Sequence, residues 1–133
     1  MIEEITIRFA KKEDLDGIVA LCELHAVFEK ESFDTHDKAE GLNRYLFSAT
    51  PSLYCLVVEK GEEIIGYASY MKQFSTWDAA YYIYMDCLFM LDGFRGFSIG
   101  EKLIDRIKSE GRKLGCTTIQ WQTPYFNRRA MKF

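Results

Sequence analysis

Residues 80–91 read Ala-Tyr-Tyr-Ile-Tyr-Met-Asp-Cys-Leu-Phe-Met-Leu, and no other stretch limits so strongly what this chain can become. Its aromatic and aliphatic residues suit a β-strand, and its end is apolar on both faces. A strand of that kind needs cover on both sides, which places it centrally in a sheet. It runs into a loop at 92–100 bearing Gly93, Gly96 and Gly100, and then into a helical pattern over 100–114. There Leu103, Ile104, Ile107 and Leu114 recur on one face, and Gly115 is a natural stop. Residues 117–123 alternate β-branched and aromatic side chains as a further strand. Strand, helix, strand in that order predicts a parallel crossover.

The upstream half follows the same logic. Residues 5–9 alternate as a first strand. Leu15, Ile18, Val19, Cys22 and Ala26 then recur at helical spacing, with Glu13, Asp14 and Asp16 near the helix start, where the peptide dipoles favour negative charge. A second helix is expected near 38–47. Residues 53–59 and 64–73 read as two strands joined by a turn at 60–63 around Gly61. With 80–91 they form three consecutive strands, the mark of an antiparallel meander. Pro124 breaks the strand at 117–123, and Asn127 opens what reads as a last helix. The expected fold is one α/β domain over 1–133, with a mixed, mostly antiparallel sheet flanked by helices.

Composition narrows the function. Seventeen basic against twenty acidic residues leave a net charge of −3, so no basic stripe offers nucleic acid a landing surface. No apolar run reaches membrane-spanning length, and Glu3 and Glu4 follow Met1 and Ile2 directly, so the chain reads as cytoplasmic with neither a membrane partner nor a secretory leader. Cys22, Cys55, Cys87 and Cys116 form no CxxC pair and suit free thiols. With only His25 and His36 present, a histidine-based metal site is not expected.

The loop 92–100 carries the chemistry. Small residues at 96, 98 and 100 let backbone approach a ligand, the helix after them offers unpaired N–H groups, and Arg95 adds a charge suited to phosphate. That describes an anion cradle. It equally describes a tight strand-to-helix turn that needs glycine for its backbone angles. No GK[ST] follows, and a meander precedes it, so it is neither a P-loop nor a dinucleotide fingerprint.

The run Phe94-Arg95-Gly96-Phe97-Ser98-Ile99-Gly100-Glu101-Lys102-Leu103 resembles the acetyl-CoA motif of GNAT acetyltransferases, an Arg/Gln-x-x-Gly-x-Gly/Ala loop before a helix. The resemblance extends over nearly the whole chain. Ile7-Arg8 with Glu13-Asp14 is similar to the family's first strand and helix start, and Ile64-Ile65-Gly66-Tyr67-Ala68 to its third strand. Asn127, Ala130 and Phe133 resemble an Asn-x-x-Ala-x-x-Phe helix beside the cofactor. Phe28-Glu29, Trp77 and the residues from Asp86 to Gly100 match the spermidine/spermine and thialysine acetyltransferases best.

The resemblance implies direct acetyl transfer from acetyl-CoA to an amine within a ternary complex. Leu88, Phe89 and Met90 would pair by backbone with the pantetheine arm. Gly96, Phe97, Ser98, Ile99, Gly100 and Glu101 would hold the pyrophosphate with Arg95, and Asn127 would contact the cofactor too. Ser98 stands where the motif has its first glycine, putting a Cβ where backbone approaches phosphate.

An amine near pKa ~10.4 is protonated at neutral pH, so some group must take its proton. Asp86, a lone carboxylate in the apolar run, falls where the relatives carry a glutamate assigned as base. It is expected to be buried, with its pKa raised accordingly. The plainer reading is a carboxylate on a solvent face or bonded to backbone. Cys87 adjoins it, as a buried thiol or, less simply, a nucleophile with no histidine placed by sequence to activate it. Glu29 matches an acidic substrate-side residue, and Trp77 offers a cation–π face; each is equally a surface carboxylate or a packing indole.

The chain stops at Phe133, just before the relatives' general-acid tyrosine and two further strands. The strand at 117–123 would then present an unpaired edge. A fragment, a natural truncation or strand exchange in a homodimer each accounts for this. The expected function is N-acetylation of a small polyamine-like or amino-acid-like amine. The rivals are a catalytically impaired CoA-binding or interaction module, and protein N-terminal acetylation.

Overall fold

The computed structural model describes residues 4–94, 98–122 and 128–133, with the backbone alone at 128–130. Six strands form one sheet in chain order: β1 (Ile5–Phe9), β2 (Tyr54–Lys60), β3 (Glu63–Ser75), β4 (Ala80–Met90), β5 (Thr118–Gln122) and β6 (Arg128–Lys132). Helices α1 (Leu15–Phe28) and α2 (Lys38–Leu46) follow β1, and α3 (Ile99–Lys113) joins β4 to β5. Strands β1 to β4 pair antiparallel, β4 and β5 pair parallel, and β5 and β6 pair antiparallel. The meander, the crossover and the mixed sheet flanked by helices are therefore present as expected.

The sheet separates two apolar layers. On one face Leu56, Val58, Ile65, Ile83 and Met90 pack against Leu103 and Ile107 of α3. On the other, Cys55, Val57, Tyr67 and Phe89 pack against Ile18 and Leu21 of α1, with Leu42 and Leu46 of α2 beside them. Alternation along β2 distributes its side chains between the layers, since successive strand residues point to opposite faces.

The C-terminal segment differs from expectation. Residues 128–132 are a strand, not a helix, paired with β5 from Thr118↔Lys132 to Gln122↔Arg128. A strand laid on β5 satisfies a whole row of backbone groups that would otherwise be unpaired. The edge of β5 expected to be open is thereby covered.

Candidate active site

The site follows from where β4 loses its neighbours. Its pairing with β5 amounts to Ile83↔Ile119 and Tyr84↔Gln120. Beyond Tyr84 the two strands diverge, although β4 continues to Met90 beside β3. Along 85–90, the described pairing of β4 is with β3, and its other edge faces the divergence.

Asp86 sits where the divergence begins. Ser69 pairs with Cys87 and Tyr70 with Met85, so Asp86 is an extra residue with no partner on β3. This β-bulge shifts the alternation of the strand by one. Ile83 and Met85 face α3 before it, and Leu88 and Met90 face α3 after it, whereas Cys87 and Phe89 face α1. The shift explains why the end of the strand reads as apolar on both faces. It also re-aims Asp86, which is exposed rather than buried as its apolar neighbours suggested.

A cavity of about 380 Å³ occupies the divergence. Asp86, Cys87 and Leu88 form one wall, and Ile119 and Trp121 of β5 with Met131 of β6 form another. The end of α1 contributes His25 and Glu29. Asp86 and Glu29, apart by 57 positions in sequence, thus share one mostly apolar pocket, which is the arrangement that suits a cationic ligand.

His25 was not singled out by sequence as a pocket residue. Its ring stacks on Phe89 at 4.9 Å between centroids. Nδ1 lies 3.0 Å from the Tyr67 hydroxyl, and Nε2 lies 3.7 Å from Glu29 Oε1. The spacing of His25 and Glu29, four apart on one helix, was a usable signal. The contact with Tyr67 was not, because nothing local links the two.

Burial holds the protons of this inner wall in place. It pushes the Tyr67 hydroxyl well above the usual phenol range, with Cys87 and Cys22 adding to the effect. The Cys87 thiol is pushed up to about 11, first by burial and then by the negative charge of Asp86. Its Sγ lies 3.8 Å from Asp86 Oδ2 and donates toward it. Cys22 is raised as well, again chiefly by burial. Cys87 is therefore a protonated structural thiol, and all four cysteines are unbridged.

Of the residues expected to hold cofactor, Leu88, Phe89 and Met90 lie on the diverging part of β4. Ser98, Ile99, Gly100 and Glu101 form the start of α3, whose first N–H groups have no partner within the helix. Ser98 adopts a left-handed backbone, φ 60°, which accounts for a glycine in the motif more directly than crowding does. A Cβ built at Gly100 meets nothing within 4 Å, so the backbone there is open to a ligand. These features fit an extended amide-bearing arm that ends in an anion. Arg95, Gly96, Phe97 and Asn127 lie outside the described residues.

Trp77 is 95% exposed, in the turn before β4, and does not line the cavity. Asp86 is six residues into the strand, roughly 20 Å further on at the usual strand rise. The structure does not bring Trp77 to this pocket. Among the described residues no group of three or more His, Cys, Asp or Glu could hold a metal ion, and no helix is long and apolar enough to cross a membrane.

Comparison with known proteins agrees with this geometry. The family model "Acetyltransferase (GNAT) family" matches residues 18–133. The thialysine N-epsilon-acetyltransferase of Bos taurus is 30% identical over 135 residues, covering 96% of this chain and 79% of that protein. The D-amino-acid N-acetyltransferase of Saccharomyces cerevisiae is 31% identical over 68 residues, 51% of this chain and 42% of that protein. Among solved structures, an acetyltransferase from Clostridium acetobutylicum with acetyl-CoA superposes with TM-score 0.78 at 17% identity, over 90% of this chain and 81% of that one. An aminoglycoside N-acetyltransferase in complex with CoA gives 0.76, also at 17% identity, over 91% and 78%. On the reach of the family match and the 30% identity, this chain belongs to the GNAT family of acetyltransferases.

Proposed function

We propose that the protein transfers an acetyl group from acetyl-CoA directly to a primary amine of a small polyamine-like or amino-acid-like molecule. The observation that carries this reading is the cavity in the β4–β5 divergence, with the end of β4 on one side and two carboxylates, Asp86 and Glu29, at its wall.

Acetyl-CoA supplies an activated thioester. The peptide groups of Leu88, Phe89 and Met90 bind its amide-bearing arm as a neighbouring strand would. Backbone N–H groups of Ser98, Ile99, Gly100 and Glu101 bind the pyrophosphate, aided by the helix dipole. Arg95, Gly96, Phe97 and Asn127 join this set by motif alone. Glu29 attracts and orients the cationic substrate. Asp86 accepts the ammonium proton, directly or through one water, so that the nitrogen lone pair is free to attack. Its exposure lets it return that proton to solvent after each turnover. Because Cys87 keeps its proton, the acyl group goes straight to the amine with no acyl-cysteine thioester on the way. The new C–N bond replaces the C–S bond of the acetyl thioester, and CoA leaves as a thiolate that takes up the nitrogen's second proton directly or from water.

The test is calorimetric titration of acetyl-CoA into the protein, followed by a turnover assay with thialysine and with short diamines. Micromolar acetyl-CoA binding and amine-dependent release of CoA support the reading. Binding without turnover of any amine would leave a CoA-binding module in its place, and absence of binding would remove the cofactor assignment.

A further inference from the structure

The mechanism above uses Glu29 but gives no role to His25, which faces it and also lines the cavity. The stack on Phe89, the Tyr67 hydroxyl at Nδ1 and the Glu29 carboxylate facing Nε2 are among the contacts that hold the imidazole. The ring is set between two layers and has one nitrogen for each.

We propose that His25 is a positioning residue that controls whether Glu29 can hold a cationic substrate, and that its protonation makes amine binding pH-dependent. This deepens the amine-acetylation reading and rests on it.

The argument runs through the two states of the ring. Tyr67 keeps its proton and can donate it to Nδ1 of a neutral ring, which places the ring's own proton on Nε2, toward Glu29. In that state Glu29 keeps its full negative charge and is merely oriented. When the ring gains a proton, Nδ1–H donates to the Tyr67 oxygen instead, and a full positive charge stands 3.7 Å from Glu29. The imidazolium then neutralises the carboxylate that should attract the substrate and repels the substrate's own charge. Both side chains are mostly shielded, 20% and 32% exposed, so water screens this pairing less than it would a surface one.

The charged and titratable surroundings are mixed in sign. Cys22 and Glu29 flank His25 on α1, Tyr67 faces it from β3, and Asp86 and Cys87 line the cavity from β4. Lys38 of α2 is near enough for its charge to act on Cys22. Cys22, Tyr67 and Cys87 are raised and so stay neutral through the pH range in which an imidazole titrates. Among the described residues lining the cavity, His25 carries the side-chain type that ordinarily changes charge in that range.

The experiment measures thialysine binding to the CoA-loaded protein by calorimetry, at about pH 8 and about pH 5.5, for wild type and His25→Gln. If only the neutral ring permits binding, apparent affinity falls several-fold as the pH drops through the range in which imidazoles ordinarily gain a proton. Glutamine keeps a polar group at the site but does not titrate, so His25→Gln is expected to stay within about twofold by the same arithmetic. Equal pH dependence in both proteins, or none in wild type, overturns the proposal. A second measurement needs no variant. Imidazole NMR signals of wild type are titrated with and without thialysine, with exposed His36 as internal control. Thialysine should lower the His25 midpoint and leave His36 unmoved; an unmoved His25 midpoint overturns the proposal. Wild type that neither binds nor acetylates thialysine or a diamine at either pH overturns the amine reading itself, an outcome distinct from binding without pH dependence.

Discussion

Arg8 holds Asp14 with both ends of its guanidinium, Nη1 to Oδ2 at 2.7 Å and Nη2 to Oδ1 at 3.0 Å. The same group reaches Glu59 Oε2 at 2.9 Å, and the Lys11 N–H donates to Asp14 Oδ2 at 2.7 Å. One guanidinium, that of Arg8, thus ties β1, β2 and the turn into α1 together. The Arg8 hydrogen bonds, and after them the Lys11 N–H, hold the Asp14 carboxyl below its usual range. A depressed carboxylate stabilises the fold fully above its unfolded pKa of ~3.9 and loses that contribution as pH falls through the lower folded value. Asp14→Ala should cost about 1–3 kcal/mol in urea unfolding at neutral pH, because the Lys11 N–H and one end of the Arg8 fork lose their acceptor while Glu59 still pairs the guanidinium. Acid unfolding of Asp14→Asn should be shallower below about pH 4, and an unchanged acid limb would show that other carboxylates dominate it.

Asp86→Asn should lower turnover by roughly 10²–10⁴-fold at neutral pH, with acetyl-CoA binding retained. The amide fills the same bulge position but cannot take a proton. Steady-state kinetics across pH, beside calorimetry, check this. Near-normal rates throughout would assign the proton to another acceptor or to water.

Ser98→Gly should stabilise the protein by about 0.5–1 kcal/mol, since relief of a left-handed backbone outweighs the added freedom of the unfolded chain. Thermal unfolding reads the change. Acetyl-CoA affinity should stay level or tighten. A destabilised glycine variant would mean the serine hydroxyl holds this turn.

Iodoacetamide should react with Cys87 slowly at neutral pH, because a thiol near 11 offers almost no thiolate. Asp86→Asn removes the second cause of that shift and should speed the reaction, while Cys87→Ala should keep acetyl transfer. Intact mass during turnover is the deciding measurement: accumulation of a protein acetylated on Cys87 would contradict direct transfer.

What could be read from sequence was what local pattern encodes. The meander, α3 and the crossover are written in alternation and helical periodicity, and the loop at 92–100 stood out because glycine spacing has few explanations. Asp86 shows the limit. An apolar run says that a strand is covered, but only pairing with β3 reveals the extra residue that turns the carboxylate outward. His25 and Tyr67 meet across 42 positions, and no local rule joins them. The segment at 128–132 misled for a third reason: an Asn-x-x-Ala-x-x-Phe spacing is a local pattern and does not register the strand edge beside it. Open hydrogen-bonding groups on β5 decided its conformation.

The short seam between β4 and β5 has a mechanical consequence. Two residue pairs join a four-stranded leaf to a two-stranded one, so the sheet is a book with a narrow spine. On the proposed reading, a ligand arm laid along β4 would add rungs across the divergence and belong to the architecture while it stayed. Loading the enzyme and bracing it would then be one event, and each departure of product would slacken the molecule along the line where the next cosubstrate enters.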